Sequence, residues 1–428
     1  MLGRGIGAKA YLEKQEKEAW LLVISQAFYA WPLGFLTVVL PIYLKKAGID
    51  PLWIGSFYTI SGICASLLLL ILGPILDQKK KKPFLVLGTI LPLFSFLTLA
   101  FSKNLWAIVV SSALGGIGLS SGIAGAFQGA TFSPLMMVKA GVKGSTKFFS
   151  YVTSTWLLSV TLGSLSGGIP EYLQGWGWVP DLSYRFSFFL CALFVLLATL
   201  FLLPVKEEEI LPSRERNKIF SLKSGEQKFI WKFGITQACI GMGAGFVVQL
   251  LSLWFFLKFG VEEAQIAPWF AASNFAAMIG VYLVPGIVER RGKLFTVISM
   301  TLLSSLSILL IPLFGNYQVA AFFFLLRTVF INMSWPAQNS FLMSSVPEDL
   351  RSSAASVSNA TFGFFSALSP LWGGSLFKAG QIDLPIFLGA FFFFLSGFFF
   401  YFLFRAPKKA RVDSQYLNRG RGDRGRCA

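Results

Sequence analysis

Twelve mostly apolar stretches divide the chain, and each is long enough to cross a bilayer core as a helix of about 20 residues. Hydrophobic residues make up 55% of the 428 positions and charged residues only 13%, against about 25% charged in soluble domains. No single soluble core could bury this much apolar surface, so we expect lipid to be the main solvent. The stretches span residues 20–44, 52–76, 84–102, 105–132, 148–170, 185–204, 229–257, 265–288, 294–314, 317–341, 353–377 and 384–404.

The segments between these stretches alternate between strongly basic and weakly charged. With a cytoplasmic N-terminus, the inside segments hold 30 of the 37 lysines and arginines and 14 of the 20 acids. They therefore carry a net charge of +16 out of +17. This is the positive-inside pattern, and an odd number of spans would break it. We therefore predict an all-α integral membrane protein with 12 transmembrane helices and both termini in the cytoplasm.

A polar central segment divides the spans six and six. The expected organisation is two six-helix bundles joined by a cytoplasmic linker, with short cytoplasmic ends. Its parts are a cytoplasmic N-terminus (1–19), an N-terminal bundle (20–204), the linker (205–228), a C-terminal bundle (229–404) and a basic tail (405–428).

The two halves are related in sequence. At an offset of 212, Asp50 corresponds to Glu262 and Asp77 to Glu289, while Gln128 corresponds to Gln338 at an offset of 210. Small drifts in offset are what changes in loop length produce. Duplicated halves are common in transporters, whose substrate site lies between the repeats near the bilayer midplane.

Two matching loops carry an acid at the end of an inward-running helix, followed by basic residues. A carboxylate there opposes the negative end of its helix dipole, so each acid needs a partner elsewhere. We interpret the two loops as a latch that opens between helices on the cytoplasmic side; the simpler alternative is a basic loop that only sets topology. The residues are Gly73, Asp77 and Lys79 in the first loop, and Gly286, Glu289, Arg290 and Arg291 in the second.

These loops resemble those of the major facilitator superfamily of secondary transporters. The first reads G-P-I-L-D-Q-K-K-K-K at 73–82, the second G-I-V-E-R-R-G-K at 286–293, and V-P-E-D-L-R follows at 346–351. The resemblance covers residues 20–405. It implies two six-helix bundles, an alternating-access mechanism and a cavity lined by spans one, four, seven and ten.

Two small-residue clusters are similar to a sequence found in the drug-exporting members of that family. The family pattern is G-P-x-x-G-G, and this chain has serine in place of proline in span five and serine in place of the first glycine in span eleven. Small residues let helices pack closely, and packing alone also explains the pattern. The residues are Gly163, Gly167 and Gly168 in the first cluster, and Pro370, Gly373 and Gly374 in the second.

Arg327 is the one charged side chain well inside a predicted span. A charged group at that depth is costly and marks a functional site by default. We predict that Arg327 meets a polar or anionic substrate; the alternative is an arginine that holds neighbouring helices together. The other candidate pathway residues are polar groups in the spans, namely Ser334, Gln338, Asn332, Asn339, Gln26, Tyr29, Gln128, Gln237, Gln249 and Asn274.

The favoured function is secondary active or facilitative transport of a small solute by alternating access. A proton-driven efflux antiporter of drugs or metabolites is the alternative, although no Asp, Glu or His lies deep in a predicted span. A non-transporting receptor or scaffold on the same fold is the alternative from another class. We expect no enzyme, because the sequence has no histidine, no metal-ligand cluster and no nucleophile beside a base.

The expected partners are the lipid bilayer and a small-molecule substrate. The basic tail at 411–428 is short and has a single aromatic residue, so we expect it to contact anionic lipid rather than nucleic acid. We expect no metal, no cofactor and a monomer in the cell membrane.

Overall fold

A computed structural model describes residues 3–76, 80–116, 122–207, 224–347 and 351–404. Within these ranges the chain is helical and contains no strand. The N-terminal half holds eight helices: α1 (Gly3–Lys46), α2 (Pro51–Leu76), α3 (Lys82–Ile90), α4 (Pro92–Phe101), α5 (Leu105–Gly115), α6 (Gly122–Leu165), α7 (Ile169–Gly175) and α8 (Pro180–Leu202).

The C-terminal half holds the remaining seven helices of the described chain. They are α9 (Ser224–Val247), α10 (Leu251–Phe259), α11 (Glu263–Arg291), α12 (Lys293–Leu310), α13 (Tyr317–Ser345), α14 (Arg351–Lys378) and α15 (Leu384–Phe404).

Nine segments of the described chain are helical, long and apolar enough to cross a membrane. Three of the twelve predicted stretches are not among them. The stretch at 353–377 forms the long helix α14, which is rich in Ser and Gly. The other two, 105–132 and 148–170, belong to α5, α6 and α7. Small and polar residues lower the hydropathy of these helices without preventing them from forming.

The chain reverses within helix α6, at the place where a loop between two spans was expected. It contacts α1 at four levels: Gln26 with Gln128, Glu18 with Lys139, Trp20 with Phe148, and Gly34 with Val160. From Gln128 to Lys139 the contacts move towards the N-terminus of α1, and from Phe148 to Val160 they move back towards its C-terminus. The direction of α6 along α1 therefore reverses between residues 139 and 148. Residues 139–147, expected as a loop, are therefore helical, and the fourth and fifth predicted spans are the two arms of one helical element.

Other helix ends also differ from the sequence-based expectation. Helix α1 begins at Gly3, so most of the predicted N-terminal segment continues the first span. The third predicted span consists of two helices that meet at Pro92, whose missing N–H ends the first helix. The seventh breaks at residues 248–250, between α9 and α10.

Two long helix pairs join the halves. Helix α2 packs along α14, where the backbone N–H of Leu371 donates to Oγ1 of Thr59 over 3.1 Å. Helix α6 packs along α11, where the hydroxyls of Ser154 and Tyr282 lie 3.3 Å apart. We call the end of the molecule at which α1 ends and α11 begins the distal end, and the opposite end, where α15 ends, the terminal end.

Candidate functional site

A pair of buried glutamines lies inside each half of the molecule. In the N-terminal half, Nε2 of Gln26 on α1 donates to Oε1 of Gln128 on α6 over 3.1 Å. In the C-terminal half, Nε2 of Gln237 on α9 donates to Oε1 of Gln338 on α13 over 2.8 Å. The two pairs occupy repeat-related positions, since their members are 211 and 210 residues apart.

Each glutamine pair extends to a third helix through hydroxyl groups. Nε2 of Gln128 donates to Oγ1 of Thr89 on α3 over 2.6 Å. Nε2 of Gln338 donates to Oγ of Ser334 over 2.9 Å, and this hydroxyl lies 3.0 Å from Oγ1 of Thr301 on α12. The structure thus brings five of the expected pathway residues together within the halves. Sequence reasoning missed Thr89 and Thr301, although an offset of 212 relates them.

Among the described residues of the C-terminal half, the buried polar atoms without a hydrogen-bond partner include Oε1 of Gln237, Oγ of Ser252 and Nε of Arg327. The Arg327 side chain is 4% exposed, and its guanidinium carbon lies 5.3 Å from the ring centroid of Phe393 on α15. An arginine buried without a carboxylate is costly. Arg327 therefore lies among α12, α13 and α15, and its Nε–H is available to donate a further hydrogen bond.

The other expected pathway residues are spread over both halves. Tyr29 is buried, with its ring centroid 6.4 Å from that of Trp156 on α6. Gln249 is buried at the break between α9 and α10. Nδ2 of Asn332 donates to a carbonyl of its own helix over 2.8 Å, and Asn339 is exposed. The structure does not gather these four residues into one cluster with Arg327.

Asn274 differs from the others because it reaches across the two halves. Its Nδ2 on α11 donates to Oγ of Ser164 on α6 over 3.2 Å. That hydroxyl in turn donates to the carbonyl of Gly34 on α1 over 3.3 Å. Asn274 therefore joins the halves at a point where α1, α6 and α11 meet.

Only part of the first predicted latch loop can be described. Gly73 lies in the last turns of α2, while Asp77 and Lys79 lie outside the described residues. Just after them, the carboxylate of Glu207 accepts the backbone N–H groups of Lys81 and Lys82 over 2.6 and 2.8 Å. This acid at the end of the N-terminal half satisfies amides at the start of α3, a contact that the sequence did not indicate.

The second predicted latch loop is exposed in this conformation. Glu289, Arg290 and Arg291 are exposed at the end of α11, and Glu289 has no ion pair with any residue that the structure describes. The guanidinium carbon of Arg291 lies 5.4 Å from the ring centroid of Phe295. A Cβ added at Gly286 would meet nothing within 4 Å, so no helix approaches closely there.

The predicted small-residue clusters lie at close helix contacts. A Cβ added at any of the five glycines would meet a neighbouring atom at van der Waals distance or less, and the carbonyl of Pro370 faces Gly55 of α2. These positions therefore permit helices to pack closely. The contacts are Gly163 with Trp31, Gly167 with Val38, Gly168 with Ala264, Gly373 with Leu250, and Gly374 with Pro51.

A cluster of charged side chains joins the halves at the distal end. Nζ of Lys46, at the end of α1, donates to Glu262 over 3.0 Å and to Glu263 over 2.9 Å. The hydroxyl of Tyr184 on α8 donates to Glu263 over 2.6 Å, and Glu171 on α7 accepts the backbone N–H of Ala264 over 2.8 Å. We call Lys46, Glu171, Tyr184, Glu262 and Glu263 the distal cluster. Sequence reasoning missed it, because four different segments supply it.

A second ion pair joins the halves at the same end. Nζ of Lys378, at the end of α14, lies 3.2 Å from a carboxylate oxygen of Asp50, just before α2. Both side chains are partly exposed, and exposed ion pairs contribute only about 0–1 kcal/mol. Contacts of this strength can close the distal end and still separate at small cost.

The sequence profile of the family described as Major Facilitator Superfamily matches residues 22–370. A comparison with curated protein sequences finds no significant match.

Solved structures of transporters share the fold over nearly the whole chain. A mutant of the nucleoside transporter NupG is 14% identical, with a TM-score of 0.70 and coverage of 90% of this chain and 98% of that one. A bacterial homologue of the iron transporter ferroportin, in an inward-facing state, is 17% identical, with a TM-score of 0.66 and coverage of 91% and 98%. The human organic anion transporter MFSD10 is 15% identical, with a TM-score of 0.59 and coverage of 90% and 99%.

The names of these three proteins refer to nucleosides, iron and organic anions, so the likeness establishes the fold and leaves the solute open. Family, fold and apolar helices agree, and the chain belongs to the major facilitator superfamily of multi-pass membrane transporters.

Proposed function

We propose that this transporter moves a small polar or anionic solute by alternating access, as a secondary active or facilitative carrier. The observation that carries the proposal is the interface between the halves. Each half is tied together internally by its own buried glutamine pair, whereas ion pairs link the halves at the distal end. Two internally bonded bodies joined by separable contacts can rock against each other.

The proposed topology has twelve spans, two six-helix bundles and both termini in the cytoplasm of a cell membrane. The nine candidate spans support it, together with the reversal in α6 and the long helix α14. The basic segments support the orientation, since the positive-inside rule places them in the cytoplasm. In this proposed topology the distal end is extracellular, and the ion pairs there support a conformation that is closed on that side.

The proposed pathway runs between the halves, and Arg327 is its anion-recognising residue. Its unsatisfied Nε and the absence of a carboxylate partner in the described chain support this role. The guanidinium now lies within the C-terminal half, so a movement of α13 or of the side chain has to expose it to substrate. Asn274, at the junction of α1, α6 and α11, is the second residue that we place on the pathway.

The test begins with a thermal-shift screen of the purified full-length protein against metabolites and drugs. A stabilising compound is then followed by radiolabelled counterflow in proteoliposomes. A carrier exchanges labelled solute against an excess of unlabelled solute without any added energy source. Binding without counterflow would contradict the transport proposal and support a receptor or scaffold on the same fold.

The distal cluster favours one second candidate, a proton-driven efflux antiporter. Its three carboxylates lie at the interface that must open and close. The same proteoliposomes distinguish the candidates, because an imposed pH gradient drives uphill solute movement through an antiporter and leaves a facilitative carrier at equilibrium.

A further inference from the structure

Three carboxylates of the distal cluster lie close together beside a single ammonium group, that of Lys46. Oxygens of Glu171, Glu262 and Glu263 all lie within 4.8 Å of one another. Lys46 bonds to Glu262 and Glu263 and lies over the ring of Phe256 from α10. With every acid ionised, the four side chains carry a net charge of −2. Like charges at this distance disfavour ionisation of at least one member.

The members of the cluster are bonded to very different degrees. Glu263 has no exposed surface and accepts hydrogen bonds at both oxygens, from Lys46 and from Tyr184. Glu262 is 44% exposed at its side chain and receives Lys46. Glu171 is partly buried, accepts one backbone N–H and bonds to no cation among the residues that the structure describes. It is therefore the carboxylate least able to hold a negative charge when the distal end is closed.

The second ion pair of the distal end, between Asp50 and Lys378, has balanced charges. Asp50 corresponds to Glu262 at an offset of 212, and each begins a helix of the interface between the halves. Asp50 meets Lys378, one carboxylate with one ammonium, while Glu262 meets Lys46 with two further acids nearby. Of these two repeat-related acids, only Glu262 therefore lies in a contact with excess negative charge.

We propose that the distal cluster binds one proton at Glu171 when the distal end closes, so that protonation stabilises the closed state of the transporter. This inference rests on the proposed alternating-access function. It assigns a proton-binding role to a residue that sits in the interface rather than deep in a span.

The direction of the effect follows from the surroundings of Glu171. Burial raises the pKa of its carboxyl, and the charges of Glu262 and Glu263 raise it further, while Lys46 and the Ala264 amide act in the opposite sense. Tyr184 contributes a neutral hydroxyl from α8 and Phe256 contributes no charge from α10. The closed state therefore holds the proton more tightly than an open state in which Glu171 faces water. Protonation of Glu171 therefore stabilises the closed state fully at pH values below the usual carboxyl pKa. This stabilisation is lost as the pH rises through the raised pKa of Glu171 in the closed state.

The experiment measures the distance between the halves at the distal end as pH changes. Spin labels go on Gly175→Cys and Gly315→Cys, because a Cβ at either position meets nothing within 4 Å. The background is full-length protein without its native cysteines, in lipid nanodiscs between pH 4.5 and 8.5. Double electron–electron resonance then gives the ratio of closed to open populations. One linked proton permits a change of at most about tenfold per pH unit.

We expect the closed fraction to fall as pH rises and the Glu171→Gln variant to stay closed throughout. Asp50→Asn is the matched control: it lowers the closed fraction at every pH and keeps the pH dependence. Glu262→Gln also removes one negative charge from the distal cluster, so it should weaken the pH dependence. It replaces Glu171→Gln as the test if that variant does not fold. The inference would be overturned if the ratio of closed to open populations in the wild-type protein did not change with pH. It would also be overturned if both glutamine variants kept the pH dependence of the wild-type protein. Counterflow by the same variants, reconstituted into proteoliposomes, tests the transport function separately, so that either proposal can fail alone.

Discussion

At the scale of single residues, Arg327 is the most unusual side chain in the molecule. It is 4% exposed and lies over the Phe393 ring, with its Nε unbonded among the described residues. Arg327→Ala is expected to abolish transport with membrane expression retained, and Arg327→Lys to keep partial activity with a raised KM, since lysine lacks the planar fork. Uptake in proteoliposomes measures both.

Lys232→Ala is the control for this prediction. Lys232 is exposed on α9, so this variant also removes one cationic side chain from the C-terminal half. It should leave uptake unchanged. Normal uptake in well-expressed Arg327→Ala, together with a lowered melting temperature, would assign Arg327 to the structure of the C-terminal half instead.

The glutamine pairs predict a second residue-level effect. Gln338→Leu breaks bonds to Gln237 and Ser334 and leaves buried groups unpaired. We expect a loss of about 1–2 kcal/mol in stability, measured as a lower thermal midpoint in detergent. The double variant Gln237→Leu with Gln338→Leu should lose less than the sum of the single effects, because no buried amide is then left over. Exposed Gln318→Leu is the control, and equal losses for it and for Gln338→Leu would contradict the account.

At the scale of helices, the packing of α2 on α14 determines whether the distal end can close. A Cβ at Gly55 would overlap the carbonyl of Pro370. Gly55→Ala should therefore weaken closure by about 1–3 kcal/mol, the usual cost of overpacking. The spin-label pair at the distal end reports it as a larger open fraction. Gly234→Ala, whose Cβ meets only Oγ1 of Thr361 at 3.9 Å, should leave the open fraction unchanged; an equal shift in both variants would argue against this role of the interface.

Much of the architecture at this scale was predictable because lipid imposes a length and a composition on each span. The nine candidate spans follow that rule. Helix α14 and the two arms of α6 are harder to recognise by hydropathy, since Ser, Thr and Gly let helices pack and bond while lowering their apolar character. The three lysines and two glycines of residues 139–147 predicted the reversal between the two arms of α6, but they did not indicate that the connection is helical.

The candidate site was predictable only where the internal repeat reveals it. The offsets of 211 and 210 relate Gln26 to Gln237 and Gln128 to Gln338, so the glutamine pairs could have been inferred together. The distal cluster could not, because Lys46, Glu171 and Glu262 lie in separate segments with ordinary loop composition. Three-dimensional closure of the halves, rather than any local pattern, brings them together.

At the scale of the whole molecule, we propose that the two halves move as bodies and that the distal contacts must separate for solute to cross. The Asp50–Lys378 pair, 3.2 Å apart, is the most convenient place to prevent that separation. It lies at the partly exposed edge of the interface, away from Arg327 and from the distal cluster.

The most direct measurement is therefore counterflow by protein carrying Asp50→Cys and Lys378→Cys, joined by a short reducible bifunctional thiol reagent. We predict that cross-linking stops counterflow and that reduction of the cross-link restores it. Either single cysteine variant, treated with the same reagent, should keep its activity. Undiminished counterflow in fully cross-linked protein would contradict the claim that the distal end has to open.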